Sequence, residues 1–477
     1  VPFNSLVFLL GFLPCVLASY TVICRLGPVW AKSWLIAVSL LFYGTWAPRF
    51  LPLLLVSVCG NLALLQAMPR TTGRSHLAAL GVALNLALLG WFKYAEPSFW
   101  PDAVLPLGMS FFTFTQIGCL LAYAGADVLP PKILDYALFV LFFPALTAGP
   151  ILNAREMLPQ FERTTGWRLS ADNLMVGAGF FFIGLLKKTV LGDSLSGLVT
   201  AGFADPGAMS LLTAWQAAAA WSLQLYFDFS GYTDMAIGLA WLFGFRFPDN
   251  FEQPYRAQSV TAYWQRWHMS LTRFLMTNLH APLTLAVLRR RRARALSINQ
   301  AAQQSPGGFL SMIAAPIVVT MILIGIWHGP TLPFLLFGVF HAGLLLVNHA
   351  WRLWRAPALP ALASIAVTYM SVLVGAVVFR ANSVSDAGSL LAGMAGLHGL
   401  GVMTALSNVN VAADMVWIAA LYAIVWLAPS TRQLMQGGVV SQFAWRSTPR
   451  WAVVMGCAAT LGLLASGGTD EFVYFHF

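Results

Sequence analysis

Charge is what this 477-residue sequence lacks. Only 9% of its residues are Asp, Glu, Lys or Arg, against about 25% in soluble domains. A chain so poor in charge has no means of covering a water-facing surface, so lipid must serve as its outer solvent. Cysteine is also scarce. Cys15, Cys24, Cys59, Cys119 and Cys457 stand singly in apolar runs, with no CxxC pair and no metal-ligand spacing, which excludes a disulfide framework and a thiolate metal centre. No Ser nucleophile elbow, Walker A loop, dinucleotide glycine fingerprint or HExxH is present, so the commonest hydrolase, nucleotide and zinc chemistries are excluded.

What is abundant is apolar sequence, 58% of residues with mean hydropathy +0.73. At roughly 20 residues per crossing the length accommodates about ten to thirteen membrane segments. The runs are continuous and do not alternate, which predicts helices and not barrel strands. Their centres fall near residues 13, 40, 59, 85, 113, 142, 182, 218, 238, 318, 340, 370, 420 and 459, with no fixed-period repeat. The first, Phe3 to Cys24, has no basic residue before it and no small-x-small site; it reads as a retained membrane helix. The expectation is an all-α polytopic integral membrane protein forming one domain over residues 1–477.

The net charge of +10 is placed mostly in short loops, where it sets topology and does not call for nucleic acid. The longest polar interruption, residues 246–308, holds Arg256, Arg266, Arg273 and the cluster Arg289, Arg290, Arg291, Arg292 and Arg294. It is assigned to the cytoplasmic side. From that anchor, Arg352 and Arg355, and Arg432, Arg446 and Arg450, fall inside. Asp386 and the tail with Asp470 and Glu471 fall outside. Arg70 and Arg74 also belong inside. One loop breaks the rule: counting full crossings from Arg74 puts Arg155, Arg163 and Arg168 outside. Pro144, Gly149 and Pro150 interrupt the preceding run, and Pro106 and Gly108 open the one before it. One of these two runs is therefore expected to be re-entrant or broken.

Three polar constellations lie in or beside apolar runs. The first, Tyr226-Phe227-Asp228-Phe229-Ser230-Gly231-Tyr232-Thr233-Asp234, puts two carboxylates deep in a hydrophobic stretch. Each costs roughly 2.5–3.5 kcal/mol at a helix centre, so each should face a cavity or a partner. An internal polar bolt between helices explains them as well as a site does. The second, Tyr263 to Arg273, would place Trp264, Trp267 and His268 on one helical face, with Arg266 and Arg273 elsewhere. It reads either as an interfacial anchor or as a surface that stacks and neutralises an anionic donor. In the third, Trp327-His328-Gly329-Pro330, a histidine stands between two apolar runs with almost no polar loop. Neutral imidazole tolerates a dry site and acts as a base near neutral pH or carries an acyl group transiently as a nucleophile, although a lone buried histidine is also commonly structural. His76, His398 and His476 read as loop or tail residues, His341 and His349 as helix residues.

The ordered set of motifs resembles the membrane-bound O-acyltransferase family, in its bacterial alginate O-acetylation branch. It comprises Phe3-Asn4-Ser5, Asn85 to Tyr94, Leu105 to Phe114, Phe142-Phe143-Pro144 with Ala148-Gly149-Pro150, and Tyr226 to Gly238. It continues with Tyr263 to Ser270, Trp327-His328-Gly329, Phe379-Arg380-Ala381 and Phe472 to Phe475. The resemblance implies a ring of tilted helices around a central tunnel, with short cytoplasmic helices. It implies His328 as the catalytic histidine and His268 as the second required one. Tyr226, Asp228, Ser230, Asp234, Trp327 and Gly329 would then support the tunnel, and Trp264, Arg266, Trp267 and Arg273 would bind the donor. No bound cofactor or metal is expected; acetyl-CoA is the expected donor, taken from the cytoplasm at the bacterial inner membrane. A periplasmic acetyltransferase and a polysaccharide synthase or secretion complex are the expected partners.

The sequence departs from the family pattern in two places. Met276-Thr277-Asn278 stands where relatives carry Arg-Asp-Tyr, with no Gly-Gly after Pro282-Leu283, and Pro330-Thr331-Leu332 replaces an Ala-rich, Trp-containing run. Both changes bear on which polysaccharide is served. Acyl transfer of another cargo, such as D-alanine from a carrier protein, is the nearest rival, and a polymer or solute transporter is the rival of another class.

Overall fold

A computed structural model describes residues 2–95, 105–125, 129–163, 166–401, 409–436 and 448–466. Among the described residues the chain is helical throughout, with no strand. Seven helical stretches are long and apolar enough to cross a membrane: Val7–Leu26, Pro48–Ala67, Arg74–Ala95, Ala171–Ala204, Pro306–His328, Leu332–Leu353 and Ala361–Arg380. Beside them stand the shorter apolar helices Met109–Ala124, Val411–Leu427 and Pro449–Ala465 and the long Leu211–Leu242 helix. The protein is an all-α polytopic membrane protein. Arg446, the acidic pair Asp470 and Glu471, His476 and the Phe472–Phe475 motif lie outside the described residues.

Two compact units interleave along the chain. The first comprises residues 1–190, 228–250 and 431–476; the second comprises 191–227 and 251–430 with the final residue. The Leu211–Leu242 helix gives its first half to the second unit and its last half to the first.

That helix corrects the sequence reading. The runs centred near 218 and 238 are one element of 32 residues, about 48 Å long at 1.5 Å per residue. One crossing therefore replaces two, and the charge anomaly disappears. Counting back from Arg246 on the inside, Leu211–Leu242 leads out and Ala171–Ala204 leads back in. The loop with Arg155, Arg163 and Arg168 then falls inside, as its charge requires. Arg74 remains inside only if one of the next two runs fails to cross. The interrupted run is the one around residue 142, where helix Ile133–Leu141 stops at Phe142 (φ −54°, ψ 111°) and a four-residue turn, Phe143–Leu146, follows. Its end meets Gly108, whose φ of +68° favours glycine. A Cβ there would stand 2.2 Å from the Leu146 carbonyl oxygen.

Polar contacts in the first unit hold helices together where apolar packing alone gives little preference in lipid. Asn61 and Asn85 exchange side-chain hydrogen bonds (2.6 and 3.3 Å), and Gln116 donates to Ser57 (2.9 Å) and accepts from Tyr136 (3.2 Å). Lys32 pairs with Asp135. Phe3 stacks on Tyr232 (centroids 4.9 Å apart). The Ala171–Leu186 helix lies close enough to Leu211–Leu242 that a Cβ at Gly231 would meet the Gly184 carbonyl at 2.7 Å. Just beyond, a π-helical turn, Lys187–Gly192, presents two lysines to the two carboxylates. Lys188 Nζ lies 2.6 Å from Asp228 and Lys187 Nζ 2.8 Å from Asp234. Thr431 also donates to Asp234 at 2.6 Å.

Removing one member of a buried pair leaves a charge without its counter-ion, at about 3–5 kcal/mol, whereas replacing both by apolar groups is close to neutral. Lys188→Ala is therefore expected to lower the unfolding temperature and membrane abundance sharply, and Lys188→Met with Asp228→Leu to restore both. Equal loss in the single and double variants, measured by thermal unfolding in detergent, would contradict this reading of Asp228.

Candidate active site

In the second unit the Pro306–His328 span runs outward from the basic segment and Leu332–Leu353 returns, so His328 ends the outgoing helix. The two helices close to van der Waals contact through Gly325 and Gly338: a Cβ on Gly325 would stand 2.4 Å from the Phe334 carbonyl oxygen, and one on Gly338 equally close to that of Met321. Gly329 lets the chain fold sharply, because a Cβ there would strike the Phe334 ring at 2.7 Å.

This turn encloses His328 in aromatic rings. The imidazole is 6% exposed, with ring centroids 4.5 Å from Trp327, 4.8 Å from Phe379, and 5.9 Å from both Phe334 and Phe337. Phe334, Phe337 and His341 recur at helical spacing along one face of the returning helix. Phe337 also lies 4.3 Å from His341, so one phenyl ring separates two buried imidazoles. Arg380, next to Phe379, lies over Phe203 and Trp221 (5.4 and 5.6 Å).

The segment carrying His268 lies in the long polar interruption at residues 246–308. It is not the single helix expected. Ser259 caps a five-residue helix, Val260–Trp264. The chain then turns, with Arg266 N–H and Trp267 N–H both donating to the Tyr263 carbonyl (2.9 and 2.8 Å). His268 takes a left-handed conformation (φ 45°, ψ 52°) and starts the next helix, Met269–Leu275. Left-handed backbone costs a non-glycine residue roughly 1–2 kcal/mol, which the surrounding packing must offset. His268 is 1% exposed.

Because of this turn, Trp264 and Trp267 do not share a face. Trp264 lies 5.3 Å from His341 and 6.4 Å from Phe337. Trp267 is buried near-parallel to Tyr255 (6.3 Å, 12°) and Tyr263 (5.8 Å, 15°), with Phe251 edge-on at 5.0 Å and Tyr226 at 6.4 Å. Tyr255 anchors this stack by donating to the Ser222 carbonyl at 2.6 Å. Gln253 and Arg256 both donate to the Ala428 carbonyl (2.9 and 2.8 Å), which fixes the approach of the segment. His341 is the tenth residue of a 22-residue span. Trp264, a residue of the long polar interruption, thus lies beside the middle of an apolar 22-residue helix.

The candidate residues therefore fall into three sets. His328, Trp327 and Gly329 form one wall. Trp264 meets the first set at Phe337 and His341, Trp267 and Tyr226 pack together in the same unit, and His268 is buried next to Trp267 in the chain. Asp228, Ser230 and Asp234 belong to the first unit and are buried there, the two carboxylates in ion pairs. Arg266 and Arg273 are half-buried. Phe334, Phe337, Phe379 and His341 were not singled out from the sequence as site residues, although the spacing of Phe334, Phe337 and His341 carries the signal. Among the described residues no group of three His, Cys, Asp or Glu is placed to hold a metal ion.

Comparison with known proteins bears on this geometry. A model of the membrane-bound O-acyltransferase family matches residues 101–298, which include His268. Over 445 residues the chain is 33% identical to a peptidoglycan O-acetyltransferase of Helicobacter pylori, covering 83% of this chain and 80% of that protein. It is 34% identical over 416 residues to a probable alginate O-acetylase, AlgI, of Azotobacter vinelandii (82% and 77%). It is 26% identical over 252 residues to a teichoic acid D-alanyltransferase of Bacillus subtilis (52% and 60%). Identity of this extent, over most of both chains, makes the protein a member of the membrane-bound O-acyltransferase family and an acyltransferase.

Proposed function

We propose that the protein transfers an acetyl group from cytoplasmic acetyl-CoA to a hydroxyl of a cell-surface polysaccharide on the outer side of the bacterial inner membrane. The observation that carries this is His328 buried among Trp327, Phe334, Phe337 and Phe379, with Trp264, four residues before the buried His268, reaching the same rings at Phe337. On the proposed topology the basic segment carrying His268 faces the cytoplasm and His328 ends the Pro306–His328 span at the opposite side. Such a placement lets a thioester enter from one side and an acceptor from the other. Relatives named for O-acetylation of peptidoglycan and of alginate match over four-fifths of the chain, whereas the D-alanyltransferase matches over half. That difference favours acetyl over D-alanyl as cargo.

In the step itself His328 takes the proton of the attacking hydroxyl while its oxygen bonds to the thioester carbonyl carbon. The C–S bond then breaks, and the departing thiolate receives the proton from the imidazolium. A helix carboxyl end favours the positive charge held in between. Water exclusion by Trp327, Phe334, Phe337 and Phe379 protects the thioester from hydrolysis. His268 orients the donor, and Arg266 and Arg273 attract its phosphates. The attacking hydroxyl belongs to the polysaccharide itself or to a periplasmic acetyltransferase partner that then passes the acetyl on to it.

At equal membrane abundance, His328→Ala is expected to lower polysaccharide O-acetyl content at least about a hundredfold; undiminished acetylation would remove His328 from the reaction. His268→Asn separates fold from chemistry, because asparagine tolerates the left-handed backbone. It should retain wild-type thermal stability yet release thiol from acetyl-CoA far more slowly, and a wild-type rate would assign His268 to structure alone. Purified protein given acetyl-CoA or a D-alanylated carrier protein should release free thiol from the first only.

A further inference from the structure

His341 carries an observation that the reaction above leaves unused. Its Nδ1 lies 3.2 Å from the Phe337 carbonyl oxygen. A carbonyl only accepts, so Nδ1 bears the proton and the lone pair of the neutral ring is on Nε2. The residue is 1% exposed, and Nε2 has no hydrogen-bond donor among the described residues. An acceptor that the protein leaves without a donor is open to one supplied by a ligand.

The surroundings are built around this ring. Gly375 on the neighbouring helix leaves room for it: a Cβ there would stand 2.3 Å from His341 Cε1 and 3.2 Å from Nε2. Trp264 closes one side at 5.3 Å, and Phe337 separates it from His328, 4.3 Å from one imidazole and 5.9 Å from the other. Along the returning helix, His341 lies about 14 Å from its first residue, between Trp264 on the polar interruption and His328 at the turn.

We infer that His341 Nε2 accepts a hydrogen bond from an amide N–H of the pantetheinyl arm that carries the acyl thioester, and so sets the depth at which the thioester meets His328. The inference rests on the proposed thioester donor. The arm fits on three grounds: its amides trail the sulfur, they supply N–H donors, and its slender chain suits an aromatic-walled path. Coenzyme A and an acyl carrier protein both present this arm, so the chemistry is common to the two sources.

The test compares thioesters that differ only in the amide. Purified wild-type protein and His341→Asn are given N-acetylcysteamine thioacetate, which has an amide N–H behind the sulfur, and S-propyl thioacetate, which has none. Asparagine preserves a donor to the Phe337 carbonyl and removes the Nε2 acceptor. The inference predicts that His341→Asn raises KM for the amide-bearing thioester about tenfold and leaves KM for the other unchanged. His341→Gln, whose side-chain oxygen reaches towards the Nε2 position, should recover part of the loss. Equal effects on both thioesters, or none on either, would overturn the role of His341 while wild-type turnover left the acyl-transfer reading intact. Absence of wild-type thioester consumption would instead overturn that reading. Running acetyl-CoA beside an acetylated carrier protein identifies the source of the arm, since only the true donor should show the tenfold effect.

Discussion

Lipid supplies no hydrogen bonds, so each polar group inside this protein needs a partner from the chain or from a substrate. That constraint organises both units. In the first it is met internally: Lys188 neutralises Asp228, Lys187 and Thr431 hold Asp234, and Asn61 and Asn85 satisfy each other. These contacts fix helices that apolar packing alone leaves free to slide. The π-helical turn at Lys187–Gly192 is the local device that brings two consecutive lysines to two carboxylates on the neighbouring helix, and turns of this kind recur where a helix must re-aim side chains.

In the second unit the same constraint is met differently. Three histidines, His268, His328 and His341, are buried, the last two against aromatic rings. Imidazole suits such a place because its neutral form carries no charge and still donates and accepts a proton. The aromatic residues hold it rigidly and exclude water, and the glycines at 325, 329, 338 and 375 let backbone and ring approach where any side chain would collide. The strained backbone of His268 fits the same picture, a cost accepted where geometry is fixed for chemistry. Membership of the membrane-bound O-acyltransferase family gives this arrangement its chemistry, the movement of an acyl group.

Much of this was legible in the sequence. Low charge and unbroken apolar runs announced a polytopic helical protein. The short Trp327–Pro330 interruption marked His328, and Pro144 with Gly149 marked the broken run. Other features were hidden for identifiable reasons. Asp228, Ser230 and Asp234 made one 32-residue helix look like two runs, because the lysines that neutralise the carboxylates are some forty residues distant in sequence. Trp267 looked like a stacking surface for a donor, but its partners come from Tyr226, Phe251 and Tyr255, which no local pattern connects. His341 was passed over as a helix residue because the neighbours that distinguish it, Trp264 and Gly375, are supplied by other elements.

The central claim is that His328 stands where a thioester from the cell interior meets an acceptor from outside. Its most direct test is a cryo-electron microscopy structure in lipid nanodiscs with a non-hydrolysable thioether analogue of acetyl-CoA. The account predicts density for the analogue running from the cytoplasmic side past Trp264 and ending with its sulfur beside the His328 imidazole. An analogue bound elsewhere, or a His328 ring turned towards lipid with no path to either aqueous face, would contradict it.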